Sequence, residues 1–157
     1  MPMRYYTHPA IYMDKTMRHL LSKEDSIFKT QFETCEFPVS DFEHQSHLRL
    51  AYIYLIDNTI ETAIPMMRES LNRFIQHNGV SASKYHETLT QAWLLAVHHF
   101  MQKTERAESS LSFIDQNPEM LDTDIMLTHY TPDVLFSEEA RQTFIQPDIE
   151  TIPQYGA

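Results

Sequence analysis

Glycine is nearly missing from this 157-residue chain, where only Gly79 and Gly156 occur. Phosphate-cradling loops and tight β-hairpins need residues that adopt positive φ cheaply, and glycine is the usual supplier. No Gly-rich nucleotide fingerprint can be drawn, which argues against a P-loop, a dinucleotide fold and a barrel of hairpins. Cysteine is scarcer still. With Cys35 alone, no intramolecular disulfide can form, and the residue is expected to be a small apolar filler or a free thiol. Basic residues are few: 12 Lys and Arg stand against 22 Asp and Glu, a formal net charge of −10. That balance argues against nucleic acid and against an anionic membrane surface, both of which favour basic patches. No apolar run approaches the ~20 residues of a membrane span, and MPMRYYTHPAIYMDK lacks the continuous apolar stretch of a signal peptide. A protein of the reducing cytoplasm, with no nucleic-acid and no membrane partner, is the expectation.

What the chain does have is apolar material, 42% of its residues, with 9 Phe, 8 Tyr and 9 Met. This is enough for one sizeable core, and residues 1–157 read as a single domain. Positions 1–39 form a lead-in, with a turn or two of helix from Asp14 to Leu21 and an irregular stretch from Ile27 to Val39. Positions 40–103 carry the main helices. The first, from Phe42 to Ile56, follows a cap at Ser40 or Asp41 and repeats Leu48, Ala51 and Leu55 at helical spacing. The second runs from Ile60 to His77, capped by Thr59 and stopped by Asn78-Gly79; Pro65 is expected to kink it or mark its first turn. The third, from Lys84 to Gln102 behind a cap at Ser83, places Leu89, Trp93, Ala96, Val97 and Phe100 on one side. Positions 104–145 hold shorter helices, at Glu105–Gln116, Pro118–Thr128 and from Ser137 to about Phe144, and 146–157 form an extended tail. Amphipathic helices joined by short loops predict an all-α antiparallel helical bundle.

Nine histidines are an unusual number for this length. At about 100° per residue, His44 and His47 fall in the stripe of Leu48, Ala51 and Leu55, one turn apart on one face. His86 aligns with Thr90, Trp93 and Val97 on the third helix, whereas His98 and His99 fall outside that stripe and read as surface residues. Three neutral imidazoles converging inside a bundle suit a divalent transition metal: Zn, Fe, Mn or Ni. Three protein ligands leave a coordination position open, the catalytic pattern, and Glu43 or Glu87 would orient a ligand or act as base toward a bound water. The competing reading is that the three histidines are hydrogen-bonded core residues, since i, i+3 pairs arise readily in a His-rich chain. Tyr52, Tyr54 and the methionines read as packing, and Asp148 as a solvated turn residue.

Two stretches stand out together: Phe42, His44, His47 and Leu48 with Ala51, Tyr54 and Leu55, and Tyr85-His86-Glu87-Thr88 with Thr90 and Trp93. With the ending Tyr130-Thr131-Pro132, Leu135, Ser137, Ala140-Arg141 and Pro147-Asp148, they resemble a family of small bacterial proteins of unassigned function. The resemblance spans about residues 42–153 and implies no activity. In size, helix content and inward-facing His the chain is also similar to the DinB/YfiT-like metal-binding four-helix bundles. It departs from them in order, since here the closely spaced pair precedes the single His. Two functions follow as expectations. One is a metal-binding bundle, or a metal-dependent enzyme acting on a small molecule. The other is a non-enzymatic module whose histidines only satisfy one another and whose acidic surface binds a protein partner.

Overall fold

The computed structural model describes residues 18–155 of the chain, and over these it is an all-α helical bundle with no strand. Seven helices can be numbered: α1 (Lys23–Glu33), α2 (His44–Asp57), α3 (Ile60–His77), α4 (Glu87–Lys103), α5 (Ser110–Gln116), α6 (Pro132–Leu135) and α7 (Glu138–Gln142). Short 3₁₀ turns lie between them, at Val39–Asp41, Ala82–Lys84, Pro118–Leu121 and Thr123–Thr128. No helix among the described residues is long and apolar enough to cross a membrane.

α2 is the central element. Leu48 and every residue from Leu50 to Leu55 are buried, and α3, α4 and α5 all pack against this helix. A helix buried nearly all round needs internal partners for its polar groups. Tyr52 Oη donates to the Leu20 carbonyl at 2.7 Å, and Tyr54 Oη donates to Glu33 at 2.7 Å. α3 is amphipathic as its spacing predicts, burying Ala63, Met67, Leu71 and Phe74. Thr59 caps it, and Pro65 lies inside it rather than at its first turn.

Five sequence expectations change, the first being the cap of α2, which is Glu43, while Ser40 and Asp41 lie in the 3₁₀ turn before it. The stretch expected to be irregular, Ile27–Val39, is helical up to Glu33, because Ser22 and Asp25 form a reciprocal capping box and Phe28 and Phe32 enter the core. Of the turn expected at Asp14–Leu21, residues 14–17 lie outside the described residues and 19–21 have no regular structure. The helix expected from Glu105 starts only at Ser110, where Ser109 caps it. The helix expected over Pro118–Thr128 is two 3₁₀ turns, broken where the Asp122 side chain accepts from the Asp124 N–H and starts a new turn. Asp148 is exposed as expected, but it also accepts from the backbone N–H and the hydroxyl of Thr131.

Asp25 ties three helices together. Its carboxylate accepts from the Ser110 N–H at 2.8 Å, from the Ser110 hydroxyl, and from Arg49 at 3.3 Å. Burial pushes this carboxyl upward, but the bonds from Ser110, Ser22 and Arg49 outweigh it and hold the group below the usual range.

α1 and α3 end alike. The Cys35 and Glu36 N–H groups bond back to Phe32 and Gln31, and those of Gly79 and Val80 to Gln76 and Ile75, which are two Schellman closures. The left-handed residue is Gly79 (φ 69) in α3 and Cys35 (φ 65) in α1. A side chain at positive φ costs roughly 1–2 kcal/mol. Cys35→Gly is therefore expected to raise stability by up to about 1 kcal/mol, while Gly79→Ala, whose Cβ would meet nothing within 4 Å, lowers it by about 1 kcal/mol. The check is the midpoint of urea unfolding at unchanged m-value.

Candidate functional site

A cavity of about 390 Å³ lies between α2, α3, α4 and a cover built from the 3₁₀ turns and α6. α2 contributes His44 and His47, with Phe42 just before it, and α3 contributes Leu71 and Ile75. From α4 come Leu89, Thr90 and Trp93, and from the segment leading into it Lys84, Tyr85 and His86. The cover supplies Leu127, Leu135 and Phe136, with Thr123 and Asp124 exposed at its rim. All three histidines singled out in the sequence thus border one space.

Their individual geometries differ. His86 does not sit on a stripe of α4; the helix begins at Glu87, and His86 is its N-cap. Ser83, expected as the cap, lies instead in a 3₁₀ turn capped by Ser81. His86 Nδ1 accepts from the Leu89 N–H at 3.1 Å and its Nε2–H donates to the Leu135 carbonyl at 2.8 Å. That pairing requires a neutral ring with the proton on Nε2. His44 Nε2–H donates to the Met120 carbonyl at 2.9 Å, and its ring stands edge-on to Trp93, centroids 4.5 Å apart. His47 is the exception: its Nε2 is buried without a hydrogen-bond partner.

All three imidazoles are held neutral. Burial lowers His44 and His86 below the ordinary histidine range, against the opposing pull of their carbonyl partners. His47 is lowered to about 4 by burial and then by the adjacent His44. Among the described residues no group of three His, Cys, Asp or Glu side chains has the arrangement to hold a metal ion.

The two carboxylates proposed from the sequence lie apart from this space. Glu87 receives a two-point contact from Arg68, at 2.9 and 2.7 Å, and further bonds from Tyr85 (2.8 Å) and Gln91. Burial opposes its ionisation, yet these donors prevail and hold it at about 2. A carboxylate with four donors and so low a pKa is a poor proton acceptor. Glu43 is the exposed N-cap of α2, its N–H donating to Ser46 Oγ at 3.3 Å. Neither carboxylate borders the cavity. His98, expected at the surface, is buried, whereas His99 bonds the hydroxyl of Tyr155 in the tail at 2.8 Å. Lys84, Asp124 and Phe136 were not singled out from the sequence. Asp124 and Phe136 reach the site only because the cover folds over α4, through contacts far apart in the chain, whereas Lys84 reaches it as the neighbour of Tyr85 and His86.

No known protein family, curated protein or solved structure matches this chain. What the site does is therefore a question for its own geometry.

A histidine that is neutral in the native state and titrates near 6.5 when unfolded takes up its proton preferentially in the unfolded chain. Stability is thus fully present above about pH 6.5 and falls as the pH drops toward the folded pKa. For His47 the window runs from about 6.5 down to about 4. The Glu87 contribution is present above 4.5 and is lost only between 4.5 and about 2. His47→Leu is expected to reduce the slope of unfolding free energy against pH, between pH 6 and 5, by close to one proton, or about 1.4 kcal/mol per pH unit at most. Urea titrations at three pH values measure it. An unchanged slope would show that His47 titrates alike in both states.

Proposed function

We propose that this protein binds a small, mainly apolar molecule in the cavity between α2, α3, α4 and their cover, without carrying out chemistry on it. The observation that carries the reading is the mainly apolar wall, where Phe42, Leu71, Ile75, Leu89, Trp93 and Leu127 border one space. An apolar occupant of such a space is favoured because its surface leaves water. The volume, about 390 Å³, is of the size used for small molecules and admits on the order of a dozen non-hydrogen atoms at about 30 Å³ each. Catalysis draws no such support. Glu87 is neutralised by Arg68, and the other polar groups on the inner wall already have hydrogen-bond partners in the protein: His44, Tyr85, His86 and Thr90.

A second reading keeps the transition metal. Its support is that His44, His47 and His86 border one cavity. Against it, His86 would have to give up both the Leu89 N–H and the Leu135 carbonyl to turn toward an ion.

Thermal unfolding separates the two. With propylbenzene as probe, the wild type is expected to melt at a higher temperature, by an amount that grows with the logarithm of probe concentration above Kd. Leu89→Trp, which fills the cavity from α4, removes the increase. Zn, Mn, Fe and Ni at saturation are expected to leave the melting temperature unchanged. A metal-dependent rise in the wild type that is lost in His44→Ala would replace the first reading by the second.

A further inference from the structure

The small-molecule reading leaves open how the polar end of an occupant is held, and the mouth of the cavity bears on this through its charges. Apart from the histidines, the charged side chains bordering the space are Lys84 and Asp124, both exposed at its edge. They stand on different segments. Lys84 ends the 3₁₀ turn Ala82–Lys84 that leads into α4, and Asp124 lies in the turn Thr123–Thr128 of the cover.

Each has a companion of its own sign. Arg141 of α7 donates to the carbonyl of Ser83, next to Lys84, at 2.9 Å. Asp122 accepts from the Asp124 N–H at 3.0 Å and caps the turn on which Asp124 lies. The mouth thus has a basic lip and an acidic lip. Among the described residues none of these four side chains forms an ion pair, so Lys84 and Asp124 are not closed onto each other. Glu87, the carboxylate nearest to Lys84 in the chain, is held by Arg68 instead.

Behind the lips the wall is apolar, with Phe42, Leu71, Leu89, Trp93 and Leu127. A molecule with an apolar arm and two opposite charges at one end matches this order. Its arm leaves water, while both charges stay at the hydrated mouth and escape the cost of burial. A molecule with a single charge is attracted by one lip and repelled by the other.

On this basis, and resting on the small-molecule reading above, we infer that the occupant is a free α-amino acid with a large apolar side chain, its carboxylate toward Lys84 and its ammonium toward Asp124. Phenylalanine, with about a dozen non-hydrogen atoms, has the size the cavity admits.

Isothermal calorimetry on the full chain at pH 7.5 and low salt, where exposed pairs are least screened, tests this with four probes sharing a phenyl body. They are L-phenylalanine, 3-phenylpropionate, which lacks the ammonium, 2-phenylethylamine, which lacks the carboxylate, and propylbenzene. Phenylalanine is expected to bind about threefold tighter than either singly charged analogue, within the range of one exposed ion pair. Lys84→Gln is expected to weaken phenylalanine and 3-phenylpropionate by a similar factor but not 2-phenylethylamine. Asp124→Asn is expected to weaken phenylalanine and 2-phenylethylamine but not 3-phenylpropionate. Neither substitution should change propylbenzene binding, and both replace exposed residues, so the fold is not at stake. A singly charged analogue that binds as tightly as phenylalanine, or tighter, overturns the amino-acid assignment and leaves the cavity reading standing. So does phenylalanine binding that neither substitution weakens, or binding of propylbenzene alone. No binding of any probe overturns both the inference and the reading it rests on.

Discussion

A neutral imidazole that accepts at Nδ1 and donates at Nε2 is the interaction on which this structure turns. His86 uses both nitrogens, taking the Leu89 N–H and giving to the Leu135 carbonyl. His19 repeats the pattern with the Ala107 N–H and the Met101 carbonyl. Each ring joins a helix end or loop to another part of the backbone, without a side chain on the far side. Protonation would place an N–H against an N–H, so the pattern exists only while the ring is neutral. Burial supplies that condition, lowering both rings below the ordinary histidine range. In an acidic, glycine-poor chain with no sheet among its described residues, histidine takes over backbone pairing that turns and caps provide elsewhere.

The cavity follows from these clips. The cover over α2 and α4 consists of 3₁₀ turns and one-turn helices, too short to pack ridges into grooves as longer helices do. His44 fastens it at Met120 and His86 at Leu135, while the Thr88 hydroxyl donates to the Thr143 carbonyl and Arg141 to that of Ser83. The cover packs Met120, Met126 and Leu135 into the core and leaves the cavity beside Trp93 and His47. Glu87 belongs to the same scaffold. As the first residue of α4 it places negative charge at the positive end of the helix and anchors that end to α3 through Arg68.

The long helices were legible in the sequence because their apolar spacing and stop signals are local: Thr59 and Asn78-Gly79 bracket α3 as expected. α1 was missed, although Ser22-x-x-Asp25 and the spacing of Asp25, Phe28 and Phe32 signal it. A search for apolar residues alone passes over it, since one of its three buried positions is a carboxylate. His86 shows the deeper difficulty. A residue just before a helix shares the angular phase of the stripe that follows it, so spacing cannot tell an N-cap from a first-turn ligand. The deciding partner, Leu135, lies 49 residues away. His44 and His47 were correctly placed toward the interior, and the sequence carried no sign that one would have a carbonyl and the other nothing.

The tautomers of the imidazoles test this account most directly. Long-range nitrogen–proton correlation spectra of uniformly ¹⁵N-labelled protein at pH 7 distinguish a protonated from an unprotonated ring nitrogen at each histidine. His19 and His86 are expected as neutral rings with the proton on Nε2, with Nδ1 in the acceptor state, and as unchanged down to pH values at which a free histidine is already half protonated. His86 found as the Nδ1–H tautomer, or as a cation at pH 7, would contradict the cap, the clip to Leu135 and the cover that depends on them.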